Sequence, residues 1–209
     1  SSLDSSPETT RFGSGKSVKR LEDQQLLLGA GQYTNDVTLP GQSYLVFLRS
    51  PYPHAKITRL DTLAAKAMPG VYGLITGQDL LAAGVKPMAR PMNFKRADGG
   101  PLSSTTRYPL ATDTVRFVGE PIAAVVADTE ENARNAAEAI QIEFDPLQSA
   151  STLADALAPN APLFTEAPDN RVAETRYGDI TATQAAFAQA AHVVHLDIVN
   201  QRVAALAIE

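Results

Sequence analysis

Residues 115–144 (VRFVGEPIAAVVADTEENARNAAEAIQIEF) have few conformations open to them, because the local cues agree. Val115, Phe117 and Val118 make a short apolar strand. Gly119-Glu120-Pro121 then turns the chain, with Pro121 fixing its own φ and restricting Glu120 before it. Residues 122–127 are a continuous apolar run, too short for a globular helix and suited to a strand covered on both faces. Asp128 ends the run and is placed as a helix N-cap, with Glu131 in the capping-box position. Ala133, Ala136, Ala137 and Ile140 recur at helical spacing as one narrow apolar stripe. Their small side chains suit close packing on a sheet. Ile140, Ile142 and Phe144 then alternate with Gln141 and Glu143, the period-two pattern of a half-exposed strand that Asp145-Pro146 stops. Strand, helix and strand in succession predict an α/β layer.

Composition narrows the function more than the fold. With 209 residues and 44% hydrophobic content, the chain can bury a core without metals or crosslinks. A net charge of −5 argues against a nucleic-acid partner, which favours a basic face. The absence of cysteine removes disulfides, thiolate catalysis and cysteine-ligated iron–sulfur clusters from this chain. Three histidines (His54, His192, His195) leave little for metal chemistry. No apolar run approaches ~18 residues, so no membrane span is expected. The opening Ser1-Ser2 fits loss of an initiator Met and removal of a leader equally well.

Two glycine-rich stretches imitate nucleotide motifs. Gly13-Ser14-Gly15-Lys16-Ser17 resembles the end of a phosphate-binding loop, but Thr10 stands where the pattern needs its first Gly. Gly29-Ala30-Gly31 lacks a third Gly, since Thr34 occupies that place. The first reads as part of a mobile polar arm, the second as a turn feeding an extended segment.

Strands are expected at residues 44–48, 57–60 and 71–76, with a short helix over 62–68 capped by Asp61 and ended by Pro69-Gly70. A further helical turn begins at Gly77. His54, between prolines and without a nearby carboxylate, reads as a hydrogen-bonded structural histidine rather than a base. Residues 84–111 form a long loop whose Lys86, Arg90, Lys95, Arg96 and Arg107 are the main basic cluster of an acidic chain. That cluster reads as solvated, with contact to a partner or an anionic cofactor as the alternative. Residues 146–176 are proline-rich and read as a linker along a surface. Gly178-Asp179 opens an alanine-rich helix, and residues 192–199 (HVVHLDIV) alternate like a strand that puts His195 and Asp197 on one face. Residues 203–208 (VAALAI) form an apolar run before Glu209, which predicts cover from further polypeptide.

Taken together, several motifs resemble the N-terminal part of the molybdopterin-binding large subunit of the xanthine dehydrogenase, aldehyde oxidase and aerobic carbon monoxide dehydrogenase family. They are Arg20-Leu21-Glu22-Asp23, residues 29–36, and Leu48-Arg49-Ser50-Pro51-Tyr52-Pro53-His54-Ala55. To these are added residues 115–123, Gly178-Asp179 and Asn200-Gln201-Arg202. The resemblance implies an α+β fold: an α/β hammerhead domain (a mixed sheet with packed helices) over 19–150. A flexible arm (1–18) would precede it. A linker (151–177) and the first helix and strand of a cofactor-binding domain (178–209), completed by another chain, would follow.

The resemblance also implies a function. Members of this family oxidise aldehydes, N-heterocycles or carbon monoxide with oxygen from water at a molybdenum–pterin centre, and electrons pass through iron–sulfur clusters to flavin. This chain would bind no cofactor alone. Its complex would hold molybdopterin (the cytosine dinucleotide form) with molybdenum, 2Fe-2S clusters and FAD. The partners would be the remainder of the large subunit, an iron–sulfur subunit and an FAD subunit. The family's glycine-rich cofactor loops and catalytic glutamate correspond to positions beyond Glu209, so no catalytic, cofactor-binding or metal residue is expected here. Glu120 and Glu209 are assigned to structure. The expected compartment is the cytoplasm, with the periplasm as alternative. The rival reading is a non-catalytic binding or assembly module on the same fold.

Overall fold

The computed structural model describes residues 20–89, 94–96, 98–103, 105–162, 164, 166–201 and 203. The expected arm (1–18) with its glycine-rich motif lies outside them, as do Arg90, Arg202 and residues 204–209. The chain divides into two units, one of them Gly41–Asp197. The described part of the other holds a one-turn helix, α1 (Asp23–Leu27), and a 3-10 turn at Thr34–Asp36. Gly29, at φ +69, donates its N–H to the Leu26 carbonyl and closes α1. Its role is a helix C-terminus, not a dinucleotide loop.

Gly41–Asp197 begins with β1 (Tyr44–Arg49) and β2 (Ala55–Asp61), followed by α2 (Leu63–Lys66) and β3 (Val71–Thr76). After α3 (Gly77–Ala82) and the long loop come β4 (Thr114–Val115), β5 (Pro121–Ala127), α4 (Glu130–Glu138) and β6 (Gln141–Pro146). Two further helices, α5 (Leu153–Leu157) and α6 (Ile180–Gln189), follow. At α2 the N-cap is Thr62 rather than the expected Asp61, which closes β2 and accepts the Leu63 N–H on its carboxylate at 3.1 Å. At α4 the cap falls one residue later than the sequence suggested. Thr129, not Asp128, accepts the Asn132 N–H at 3.1 Å. Asp128 instead accepts from the Asn132 side-chain amide at 2.7 Å.

The strands form two antiparallel sheets, in orders β1-β5-β3 and β4-β2-β6, rather than one mixed sheet. Strand β5 is central, and its continuous apolar sequence follows from having both faces packed over most of its length. On one face lies α4, whose Ala136 and Ala137 meet Ala123, Val125 and Leu74 in the first core. Alanine at those positions removes the bulk that would hold helix and sheet apart. The second core gathers Ala55, Ala111, Val115 and Ile122. Leu48 and Leu60 pack against both cores and join them. Each fully buried Ile or Val here contributes about 1.5–3 kcal/mol through removal from water.

The other face of the β1-β5-β3 sheet is less covered. The register pairs Leu45 with Val126, and Phe47 and Ile75 with Ala124, so these apolar side chains share one surface. Leu45 remains 54% exposed, Ile75 44% and Phe47 37%.

The expected strand over residues 192–199 is not formed. Alternation gives it a strand's pattern, but among the described residues no second strand offers it a hydrogen-bonded ladder. Helix α6 is present, with Asp179 capping Ala182 at 2.9 Å, and its Ile180 and Phe187 stay exposed.

Candidate functional site

The local structure around residues 115–121 sets the geometry of a cleft. Gly119, at φ +85, lets the chain turn sharply before β5. Its carbonyl accepts from the Arg49 guanidinium at 2.9 Å, and its N–H donates to the Ser50 carbonyl at 2.8 Å. Glu120, only 6% exposed, accepts the Arg116 backbone N–H at 2.5 Å. It braces the turn.

Described residues of the proline-rich stretch 146–176 lie against the start of β2 and the long loop. The Leu147 N–H donates to the His54 carbonyl at 2.9 Å, and the Ser103 N–H to the Val172 carbonyl at 3.1 Å. Arg96 is 24% exposed and forms the main tie. Its guanidinium donates to Asp169 at 2.9 Å, to the Arg171 carbonyl at 3.1 Å and to the Ser103 hydroxyl. The Arg96 hydrogen bonds hold the Asp169 carboxyl below the usual carboxylate range. Arg107 lies over the Phe117 ring, 4.7 Å from its centroid. The basic loop is therefore partly spent on internal contacts.

Between this stretch and the β4–β5 turn lies an open cleft of about 460 Å³. The β4–β5 turn supplies Arg116, Phe117 and Val118, and the linker supplies Phe164 and Asn170. His54 stands at its edge, its ring Nδ1 donating to the Gln148 carbonyl at 2.7 Å. Its ring centroid is 5.6 Å from that of Phe164. The Gln148 carbonyl and the Phe164 ring hold the imidazole in place. His195 and Asp197 do come together, at 3.1 Å, on a fully solvated segment. Sequence reasoning missed the cleft. Its walls are brought together by the Arg96–Asp169 pair, whose partners are 73 positions apart and carry no shared pattern.

Residues 28–148 match the family model described as the aldehyde oxidase and xanthine dehydrogenase a/b hammerhead domain. The chain belongs to this family. It is 36% identical over 208 residues to the nicotine 6-hydroxylase large subunit of Paenarthrobacter nicotinovorans, covering 98% of this chain and 24% of that protein. It is 32% identical to the carbon monoxide dehydrogenase large chain of Afipia carboxidovorans, over 85% of this chain and 22% of the relative. The crystal structure of the Cu,Mo-CO dehydrogenase superposes with a TM-score of 0.64 at 31% identity. That match covers 85% of this chain and 23% of the other. Quinoline 2-oxidoreductase from Pseudomonas putida 86 gives a TM-score of 0.60 at 36% identity, over 70% of this chain and 18% of that one. The hammerhead chain thus spans about a quarter of the length of these relatives.

The sequence has no cysteine for an iron–sulfur cluster. Among the described residues no three His, Asp or Glu side chains gather as metal ligands. Nor, among them, is any helix long and apolar enough to cross a membrane.

Proposed function

We propose that this chain is the hammerhead-bearing portion of a molybdenum hydroxylase large subunit, structural in role and without a catalytic residue of its own. The observation that carries the reading is similarity running through 98% of the chain to the large subunit of a nicotine hydroxylase. The enzyme as a whole would oxidise an N-heterocycle or aldehyde with oxygen from water. Molybdopterin in its cytosine dinucleotide form, 2Fe-2S clusters and FAD would be held by the remainder of the large subunit and by iron–sulfur and FAD subunits, in the cytoplasm.

The exposed apolar surfaces support this reading. Leu45, Phe47 and Ile75 on the sheet, and Ile180, Phe187, Val194 and Leu196 beyond the linker, are more than a third exposed. Such surface is characteristic of a contact face. In this reading residues 19–150 are the hammerhead, 151–177 its linker and 178–209 the start of the cofactor-binding domain.

Metal analysis and visible absorbance of material purified from the producing cells test the reading. Molybdenum, iron and flavin that travel with this chain are the expected result. A colourless protein free of all three would instead support an assembly module on the same fold.

A further inference from the structure

Arg116 carries a buried side-chain donor that the turn into β5 does not use. Its backbone N–H is engaged by Glu120, but its side chain forms no ion pair among the described residues. Its Nε is cut off from water and has no hydrogen-bond partner among the described residues. The guanidinium carbon lies 5.5 Å from the Phe164 ring centroid, so one face of the cation rests on an aromatic ring. A buried donor left unmet costs about 1–3 kcal/mol, and more when it belongs to a charged group.

The surroundings define what would satisfy it. Among the described residues Arg116 is the one Lys or Arg lining the cleft and no Asp or Glu lines it, although Asp113 and Glu120 line a second, smaller pocket that Arg116 shares. Phe117, Val118, Pro162 and Phe164 supply apolar wall, and His54 also lines the cleft. Asn170 cannot serve as a second donor, because its amide N–H groups already go to the carbonyls of Ala156 at 2.8 Å and Pro162 at 3.1 Å. A volume of about 460 Å³ accommodates a small ring or branched chain.

We propose that this cleft binds a carboxylate carried on an apolar body, with Arg116 turning its guanidinium into the cleft to meet the carboxylate and Phe164 and Val118 flanking the apolar part. Arg presents a planar fork matched to a carboxylate, and a low-polarity wall strengthens the pairing. The carboxylate belongs either to a free small acid or to an acidic side chain of a polypeptide that covers the cleft. The inference does not rest on the molybdenum hydroxylase reading, because it concerns side chains within Gly41–Asp197 and its test reads no redox activity.

The test is ¹⁹F NMR titration of the 209-residue chain with 4-fluorobenzoate, using 4-fluorobenzamide as the uncharged control. Saturable binding of the acid, at least tenfold tighter than the amide, is expected. Arg116→Gln should weaken it at least tenfold, and Arg116→Lys should retain part of the affinity. Val118 is 64% exposed, so Val118→Asp adds a competing carboxylate at the cleft without disturbing the core and should also weaken binding. Equal binding of acid and amide, no saturation, or full affinity in a folded Arg116→Gln or Val118→Asp variant would overturn the proposal. The same titration on the purified assembly separates the sources. Binding that persists there and is lost in Arg116→Gln identifies a free acid. Binding seen with the chain but not with the assembly identifies a protein carboxylate already seated.

Discussion

Gly77 approaches the Ala111 backbone so closely that a Cβ on Gly77 would stand inside the van der Waals shell of the Ala111 carbonyl oxygen. This contact fixes the start of α3 against the end of the long loop, and backbone cannot move aside as a flexible side chain can. Gly77→Ala should therefore lower stability by about 1–3 kcal/mol. Gly73→Ala is the control, since nothing lies within 4 Å of the added carbon. It should be neutral or slightly stabilising, by up to about 1 kcal/mol. Urea denaturation of the two variants reads the difference.

Glu120 offers a second test. Its carboxylate is buried and satisfies the Arg116 N–H at the turn into β5. Glu120→Ala leaves that donor without an acceptor and should cost about 1–3 kcal/mol. Glu120→Gln keeps an acceptor of the same shape and should cost less. The order Gln above Ala in denaturant midpoint is the expected outcome.

A pH dependence follows from the cap of α3. The Thr76 hydroxyl, then its N–H, hold the Asp79 carboxyl below the usual carboxylate range, with a smaller contribution from Lys66. Partial desolvation acts in the opposite direction. A depressed folded-state value means that the stabilisation is present above the unfolded value of 3.8 and is lost as pH falls through the folded one. The stability gap between the native chain and Asp79→Asn should be widest near neutrality and close in acid. Urea midpoints across that range measure it. Thr76→Ala should cost about 1 kcal/mol at neutral pH.

The linker should be released by loss of Arg96. Three acceptors on the loop and linker converge on this one guanidinium, from Ser103, Asp169 and Arg171. Arg96→Ala should speed limited proteolysis within 84–111 and 146–176 several-fold, while β5 and α4 keep their protection from hydrogen exchange. Unchanged cleavage would show that the Leu147 and Ser103 backbone hydrogen bonds suffice to hold the linker.

What was legible in the sequence was what neighbours in sequence decide. The apolar run at 122–127, the alanine stripe of α4 and the alternation of β6 each describe an environment through local spacing, and each stands where expected. The Thr129 cap was missed because Asp128 and Thr129 are both competent caps, and only the backbone conformation chooses between them. Sheet organisation was less visible still. The pairing of β2 with β6, from Asp61↔Gln141 to Ala55↔Pro146, joins segments far apart in sequence and turns an expected mixed sheet into two antiparallel ones. The segment 192–199 shows the opposite limit, in that a strand pattern requires a partner before it becomes a strand.

The central claim is that this hammerhead works as part of a larger large-subunit assembly that covers its open apolar faces. Native mass spectrometry of the protein purified from its own cells tests it most directly. The account predicts this sequence within a hetero-complex well above the 22.2 kDa of the chain. A stable lone species of 22.2 kDa, without companion polypeptides, would contradict it.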